Sequence, residues 1–96
     1  MNETALTKKI RDRLKLEGID CIKYFGSAFS ERGVSDLICV IPKNKGQALF
    51  IECKVPKNKP TPSQLVFLER MNALGAKTAV IHSMEELEKL IHSLDA

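Results

Sequence analysis

Three charged side chains fall in or beside segments whose other residues are strongly apolar. Glu52 and Lys54 interrupt the apolar residues 49–55, and Asp36 precedes the apolar run 37–41. A charge within a core strand is costly unless it is paired or bound to a metal. Because side chains two residues apart point to the same face of a strand, Glu52 and Lys54 share a face. Two charges on one face of a core strand require a chemical explanation.

A predicted β-hairpin brings Asp36 to the same place. The connector 42–46 is short and ends in glycine, which is typical of a hairpin turn. Pairing Pro42 near Gln47 then sets Asp36 across from residues 52–54. Two close carboxylates repel and raise each other's pKa, whereas a divalent cation holds both ionised. Mg²⁺ and Mn²⁺ favour such oxygen ligands, and the site could then activate water against a phosphodiester.

Lys54 has a matching use, since an ammonium beside the carboxylates can orient or deprotonate the water and neutralise negative charge. The competing interpretation is structural. The same three residues could form an internal Asp–Lys–Glu ion cluster, or the charges could reach solvent at a strand end.

Seven elements are predicted to position these residues, in the order α-β-β-β-α-β-α. Apolar spacing and end signals predict helices over 2–17, 61–74 and 83–94, each with a capping residue at its start: Asn2, Thr61 and Ser83. The strands are predicted over 19–25, 36–41, 48–54 and 77–81, with a polar loop over 26–33. The fold class is therefore α/β, one domain over residues 1–96.

The motif and its setting resemble the PD-(D/E)xK nuclease superfamily, and in particular its VRR-NUC branch. The resemblance covers residues 3–83 and rests on four stretches: Glu3 in the first helix, Gly33-Val-Ser-Asp36, Ile51-Glu-Cys-Lys54, and Thr61-Pro-Ser-Gln64 with its helix ending at Gly75. It implies a restriction-endonuclease-like core, a mixed β-sheet flanked by helices.

The resemblance also implies roles for individual residues. Asp36, Glu52 and the backbone carbonyl of Cys53 would bind Mg²⁺ or Mn²⁺, Lys54 would be the catalytic lysine, and Glu3 would help to hold the metal or its water. Gln64 matches a polar site residue of the family. One departure is Ser35, where the family usually has proline, which shapes only the backbone. Two simpler interpretations stay open: Glu3 as a first-turn acid favoured by the helix dipole, and Gln64 as a capping-box residue.

The charge distribution favours a polyanionic partner only weakly. The chain carries a net charge of +3, but residues 1–60 carry +5 and residues 61–96 carry −2. The candidate contacts to the DNA backbone are basic residues in loops and turns: Arg32, Lys43, Lys45, Lys57 and Lys59. The small size favours structure-specific over sequence-specific cutting. The resemblance implies branched DNA or four-way junctions as substrates, because stand-alone members of the family resemble junction resolvases, and symmetric cleavage would require a homodimer. The alternative function is a non-catalytic DNA-binding module on the same fold.

The remaining sequence features concern location and redox state. The longest purely apolar run has five residues, so no transmembrane helix is expected, and the charged N-terminus does not resemble a signal peptide. We expect a protein that is not secreted, from the cytoplasm of a bacterial or virus-infected cell. The three cysteines at 21, 39 and 53 are accordingly expected as buried free thiols.

Overall fold

The computed structural model describes residues 2–24, 26 and 32–94, which contain three α-helices and four strands. The elements are α1 (Glu3–Leu16), β1 (Asp20–Lys23), β2 (Leu37–Ile41), β3 (Gln47–Cys53), α2 (Pro62–Ala73), β4 (Lys77–Ile81) and α3 (Met84–Leu94), with a 3₁₀ turn at Pro42–Asn44. Their order is the predicted α-β-β-β-α-β-α. Parts of the predicted loop 26–33 and the end of the first predicted strand, Phe25, lie outside the described residues. No helix within the described ranges combines the length and apolarity needed to cross a bilayer.

The helix starts follow the capping chemistry that the sequence predicts. The side chain of Asn2 accepts a hydrogen bond from the Ala5 amide at 2.8 Å. At α2, Thr61 and Gln64 form a complete capping box. Pro62, directly after Thr61, takes the first helical position. These side chains satisfy amide groups that have no partner within the helix, which fixes where each helix begins.

The four strands form one mixed sheet with the order β1-β2-β3-β4. Strands β1, β2 and β3 are antiparallel neighbours, and β4 runs parallel to β3. In the β2–β3 hairpin Leu37 lies opposite Ile51 and Ile41 opposite Gln47. This register is close to the predicted one, and it places Asp36 beside the end of β3. The hairpin turn lies at the other end of the same strands.

Helices cover both faces of the sheet. Helices α1 and α3 pack against one face, where alternate residues of the strands form the core together with apolar helix side chains. This core contains Leu6, Ile10, Leu14, Ile19, Cys21, Leu37, Cys39, Ile41, Leu49, Ile51, Cys53, Ile81, Leu87, Ile91 and Leu94. Helix α2 packs on the opposite face over β3 and β4, where the rings of Phe50 and Phe67 meet edge to face at 5.3 Å. Glu52, two residues from Phe50, faces the α2 side.

The cysteine prediction is wrong for two of the three residues. Cys21 in β1 lies directly opposite Cys39 in β2, with Cα atoms 4.1 Å apart, and the two form a disulfide. Cys53 is a buried free thiol, as expected. The composition could not reveal the bond, because it depends on which strand β1 pairs with and in which register.

Candidate active site

Asp36 is positioned by the β2–β3 hairpin. It stands immediately before β2, and its Oδ2 accepts a hydrogen bond of 2.7 Å from the backbone amide of Cys53 at the end of β3. The backbone carbonyl of Asp36 accepts a second bond, from the Tyr24 amide that follows β1. Backbone groups of two neighbouring strands therefore hold this residue, and its carboxylate lies next to the segment that carries Glu52 and Lys54.

Glu52 is almost completely buried. Only 1% of the residue is exposed, and its Oε2 has no hydrogen-bond partner within the described part of the chain. Its Oε1 lies 3.6 Å from the Nζ of Lys54, whose side chain is 14% exposed. A contact of that length is an ion pair without a short hydrogen bond. The carboxylate is therefore incompletely satisfied, which is unusual for a buried charged group.

The surroundings of Glu52 favour its protonated form. The pKa of its carboxyl is raised to about 8, first by burial and then by the negative charge of Asp36 and a side-chain contact with it. The ammonium of Lys54 acts in the opposite direction, and Glu3 adds a smaller increase. Two acids next to each other in a desolvated site cannot both ionise at low cost.

A divalent cation would resolve this conflict, and the donor set fits one. Asp36 and Glu52 supply carboxylate oxygens, including the unpartnered Glu52 Oε2, which are the ligands that Mg²⁺ and Mn²⁺ prefer. Glu3 is near enough to influence Glu52 electrostatically. However, in ranges 2–24, 26 and 32–94 no three His, Cys, Asp or Glu side chains are grouped closely enough to hold a metal. The ligand role of Glu3 stays a prediction.

Cys53 contributes to the site through its backbone. Its side chain points into the core, where burial raises the pKa of the thiol to about 12, so a thiolate is disfavoured. The thiol contacts the side chain of Thr7, which is itself buried and donates to the Glu3 carbonyl at 2.8 Å. The Cys53 amide orients Asp36. That its carbonyl binds a metal stays a prediction.

The start of α2 lies against the loop that leads to Asp36. Gly33 has a φ of +80°, and a Cβ at this position would overlap the backbone carbonyl of Ser63. Arg32, the preceding residue, is exposed beside this contact. Gln64 uses its Oε1 to accept a 2.8 Å hydrogen bond from the Thr61 amide. The capping-box interpretation of Gln64 is therefore confirmed, and a site role for it stays a prediction.

The two basic turns lie at opposite ends of the sheet. Lys57 and Lys59 belong to the turn that follows Lys54, so they are at the site end. Lys43 and Lys45 belong to the β2–β3 turn, at the far end of β2, a strand about 13 Å long. The structure therefore groups only the second pair of turn lysines with Asp36 and Glu52.

Three further residues support the site without an obvious signal in the sequence. His82 bridges two segments: its Nε2 lies 3.2 Å from the Asn58 carbonyl in the basic turn, and its Nδ1 lies 3.0 Å from Glu86 Oε1. Ser35 is fully buried, and its hydroxyl donates to the Leu37 carbonyl at 3.1 Å. The side chain of Thr7 contacts the thiol of Cys53 in the core. Ser35 is also the departure from the proline of the resembled family.

Comparison with known proteins identifies the family of the chain. The family model of the VRR-NUC domain matches residues 1–85. A solved structure described as a VRR_NUC domain superposes with a TM-score of 0.78 at 31% identity, covering 94% of each chain. The protein named "Putative nuclease p44" of Acyrthosiphon pisum secondary endosymbiont phage 1 is 43% identical over 54 residues, which are 56% of this chain and 56% of that protein. The chain belongs to the VRR-NUC nuclease family.

Proposed function

We propose that this nuclease is an endonuclease that hydrolyses DNA phosphodiesters with the help of Mg²⁺ or Mn²⁺. The observation that carries the proposal is the buried Glu52 carboxylate, whose Oε2 lacks a partner beside Asp36 and Lys54. A divalent cation bound there would supply an activated water and stabilise negative charge developing on the phosphate. The family and the name of the phage relative support nuclease chemistry.

The chain's own residues have distinct tasks in this proposal. Asp36 and Glu52 would hold the cation, and the Cys53 amide keeps the Asp36 carboxylate in one orientation. Lys54 lies 3.6 Å from Glu52 Oε1, so its ammonium is placed to orient the attacking water and to neutralise charge on the scissile phosphate. Glu3 would assist with the cation or its water, and Gln64 would assist from the start of α2.

The two alternatives explain less of the geometry. A purely structural ion pair would be expected to satisfy Glu52, yet Lys54 reaches only one of its oxygens, at 3.6 Å. A non-catalytic DNA-binding module would not need a buried acid whose pKa is raised to about 8, because such an acid weakens a positive surface or adds nothing to it. That alternative remains an outcome of the test below.

The finer proposal is a branched substrate, such as a four-way junction, cut by a homodimer. One chain provides one Asp36–Glu52 pair, so paired cuts in two strands need two chains. The contact surface we propose is the part of the sheet beside α2 that exposes apolar side chains. There Ile22 is 59% exposed and Val40 is 50% exposed, on neighbouring strands of the same face.

The test is cleavage of labelled duplex, flap and four-way-junction DNA with Mn²⁺, with Mg²⁺ and with EDTA. We expect cutting only with metal, and a loss of at least about 100-fold in Asp36→Asn, Glu52→Gln and Lys54→Ala. Glu85→Gln is the matched control, because Glu85 is an exposed acid on α3. Light scattering on the same sample gives the mass, where a dimer has twice the 10.7 kDa of the chain.

The outcomes separate the alternatives. Undiminished cutting by Glu52→Gln, or no cutting of any substrate by the wild-type protein, contradicts the nuclease mechanism. DNA binding without cutting, together with no heat of Mn²⁺ binding, supports the binding module instead. Equal cutting of duplex and junction removes the structure-specific part of the proposal, and a mass of one chain removes the homodimer.

A further inference from the structure

An open cleft of about 430 Å³ lies between α1 and β1, apart from the Asp36–Glu52 pair. Its helix side is formed by residues spaced at one-turn intervals, so they share one face of α1. The lining contains Thr4, Thr7, Lys8, Arg11, Asp12, Lys15, Ile19, Asp20, Cys21 and Lys23. Four of these residues are cationic and two are acidic, so the cleft carries a net positive charge.

The positive charges are concentrated around one carboxylate. Lys8 donates a hydrogen bond of 2.8 Å to Asp12, and this bond, with the charges of Lys8, Lys15 and Arg11, holds the pKa of Asp12 below its usual value. Three cations therefore surround a single acid on the helix side. Lys8 and Lys15 are exposed, so their ammonium groups can reach a ligand in the cleft. A polyanion is the class of ligand that complements this arrangement.

The same contacts argue against a peptide strand as the occupant. β1 is the edge strand of the sheet, and such an edge can bind an added strand through its free backbone groups. Here the Nε of Arg11 donates to the Cys21 carbonyl at 3.1 Å. The guanidinium thus takes up the backbone carbonyl of a residue within the edge strand β1. The cleft remains open to a ligand recognised by charge, while main-chain pairing is obstructed.

Two residues that line the cleft are neighbours of the proposed site residues. Lys23 lies opposite Leu37, the residue after Asp36, and Thr4 follows Glu3 at the start of α1. From Thr4 to Lys15 the helix rises by about 16 Å. One strand of a duplex places a phosphate every 3.4 Å or so along the axis, so this length matches roughly five phosphates.

We propose that the cleft between α1 and β1 binds the sugar–phosphate backbone of the DNA substrate and leads it to the Asp36–Glu52 pair. The proposal rests on the proposed nuclease function. Lys8, Arg11, Lys15 and Lys23 contact phosphates, and Asp12 limits the affinity by holding Lys8. Recognition here depends on charge and on the path of the backbone, with no reading of base sequence.

The experiment measures binding of a fluorescent 30-base-pair duplex in EDTA at several salt concentrations. Wild-type protein is compared with the double variant Lys8→Gln/Lys15→Gln. The single variant Lys15→Gln is compared with Lys89→Gln, since Lys89 is an exposed lysine on α3. Each phosphate contact contributes about 0.9 to the slope of log affinity against log salt. We expect the slope to fall by about 1.8 in the double variant and to be unchanged in Lys89→Gln. Asp12→Asn should bind more tightly than wild type.

A second measurement locates the ligand. Amide resonances of Thr4, Arg11, Cys21 and Lys23 should shift when the duplex is added. An unchanged slope in Lys8→Gln/Lys15→Gln, or shifts with inorganic phosphate but none with DNA, would overturn the cleft proposal. If the wild-type protein cuts DNA but the double variant keeps the wild-type salt slope, the cleft proposal alone is contradicted. If the salt slope falls in the double variant but the wild-type protein cuts no DNA, the nuclease proposal alone is contradicted.

Discussion

At the scale of single residues, the burial of Glu52 makes the folding stability of the metal-free protein depend on pH. Its carboxyl has an ordinary pKa of 4.5 in the unfolded chain and a pKa raised to about 8 by burial in the folded one. Between these values the unfolded chain releases the proton while the folded chain retains it. Rising pH therefore favours unfolding across this window. The contribution of Glu52 to stability is fully present below pH 4.5 and is lost as the pH rises through 8.

We expect the metal-free wild-type protein to lose stability between pH 5 and pH 9, by an amount on the order of a few kcal/mol. Glu52→Gln removes the titrating group and should show a much flatter dependence, since its side chain is neutral throughout. Urea unfolding in EDTA at both pH values measures this. Glu85→Gln should keep the wild-type dependence, because Glu85 is exposed. A Glu52→Gln protein that follows the wild-type curve would show that Glu52 is ionised at low cost.

At the scale of elements, the site depends on the contact between α2 and the loop before β2. Gly33 adopts a φ of +80°, which side chains with a Cβ rarely adopt, and it approaches the backbone of Ser63 too closely for a Cβ. Gly18 has nearly the same conformation, with a φ of +78°, but no atom lies within 4 Å of the Cβ it would carry. The two glycines therefore separate backbone strain from steric overlap.

We expect Gly18→Ala to lower the free energy of unfolding by about 1 kcal/mol, through the strain of a positive φ alone. Gly33→Ala should lower it by about 1–3 kcal/mol more, because α2 must move away from the added methyl group. Gly33→Ala should also reduce cleavage, since Asp36 follows the displaced loop three residues later. Urea unfolding and cleavage rates measure both effects. Equal stabilities of the two variants would show that the contact with Ser63 yields easily.

The same elements show how far the sequence alone could predict the site. Alternation along β3, together with a short turn, was sufficient to place Asp36 across from Glu52 and Lys54, since hairpin register follows from the turn. The bond between Cys21 and Cys39 depends on the pairing of β1, whose connection to β2 is long. The approach of Gly33 to Ser63 joins residues thirty apart, and no local pattern encodes it.

At the scale of the whole molecule, the sheet separates two basic turns of the same sequence. Pro-Lys-Asn-Lys occurs at 42–45 and again at 56–59. The second turn follows Lys54 and is tied by its Asn58 carbonyl to His82 at the end of β4. The first turn is at the far end of the β2–β3 hairpin. Composition treats these turns as equal candidates for DNA contact, whereas topology distinguishes them.

The repeated turns provide a matched pair of variants, Lys57→Gln/Lys59→Gln and Lys43→Gln/Lys45→Gln. Both remove two positive charges, so their effects on the long-range field of the protein are similar, and any difference reports proximity to the bound DNA. We expect the first variant to lower the slope of log affinity against log salt by about 1.8 and to slow cleavage at subsaturating DNA. The second should change both quantities less. Equal losses would mean that the duplex runs along the whole hairpin and contacts both turns, as the charge pattern alone suggests.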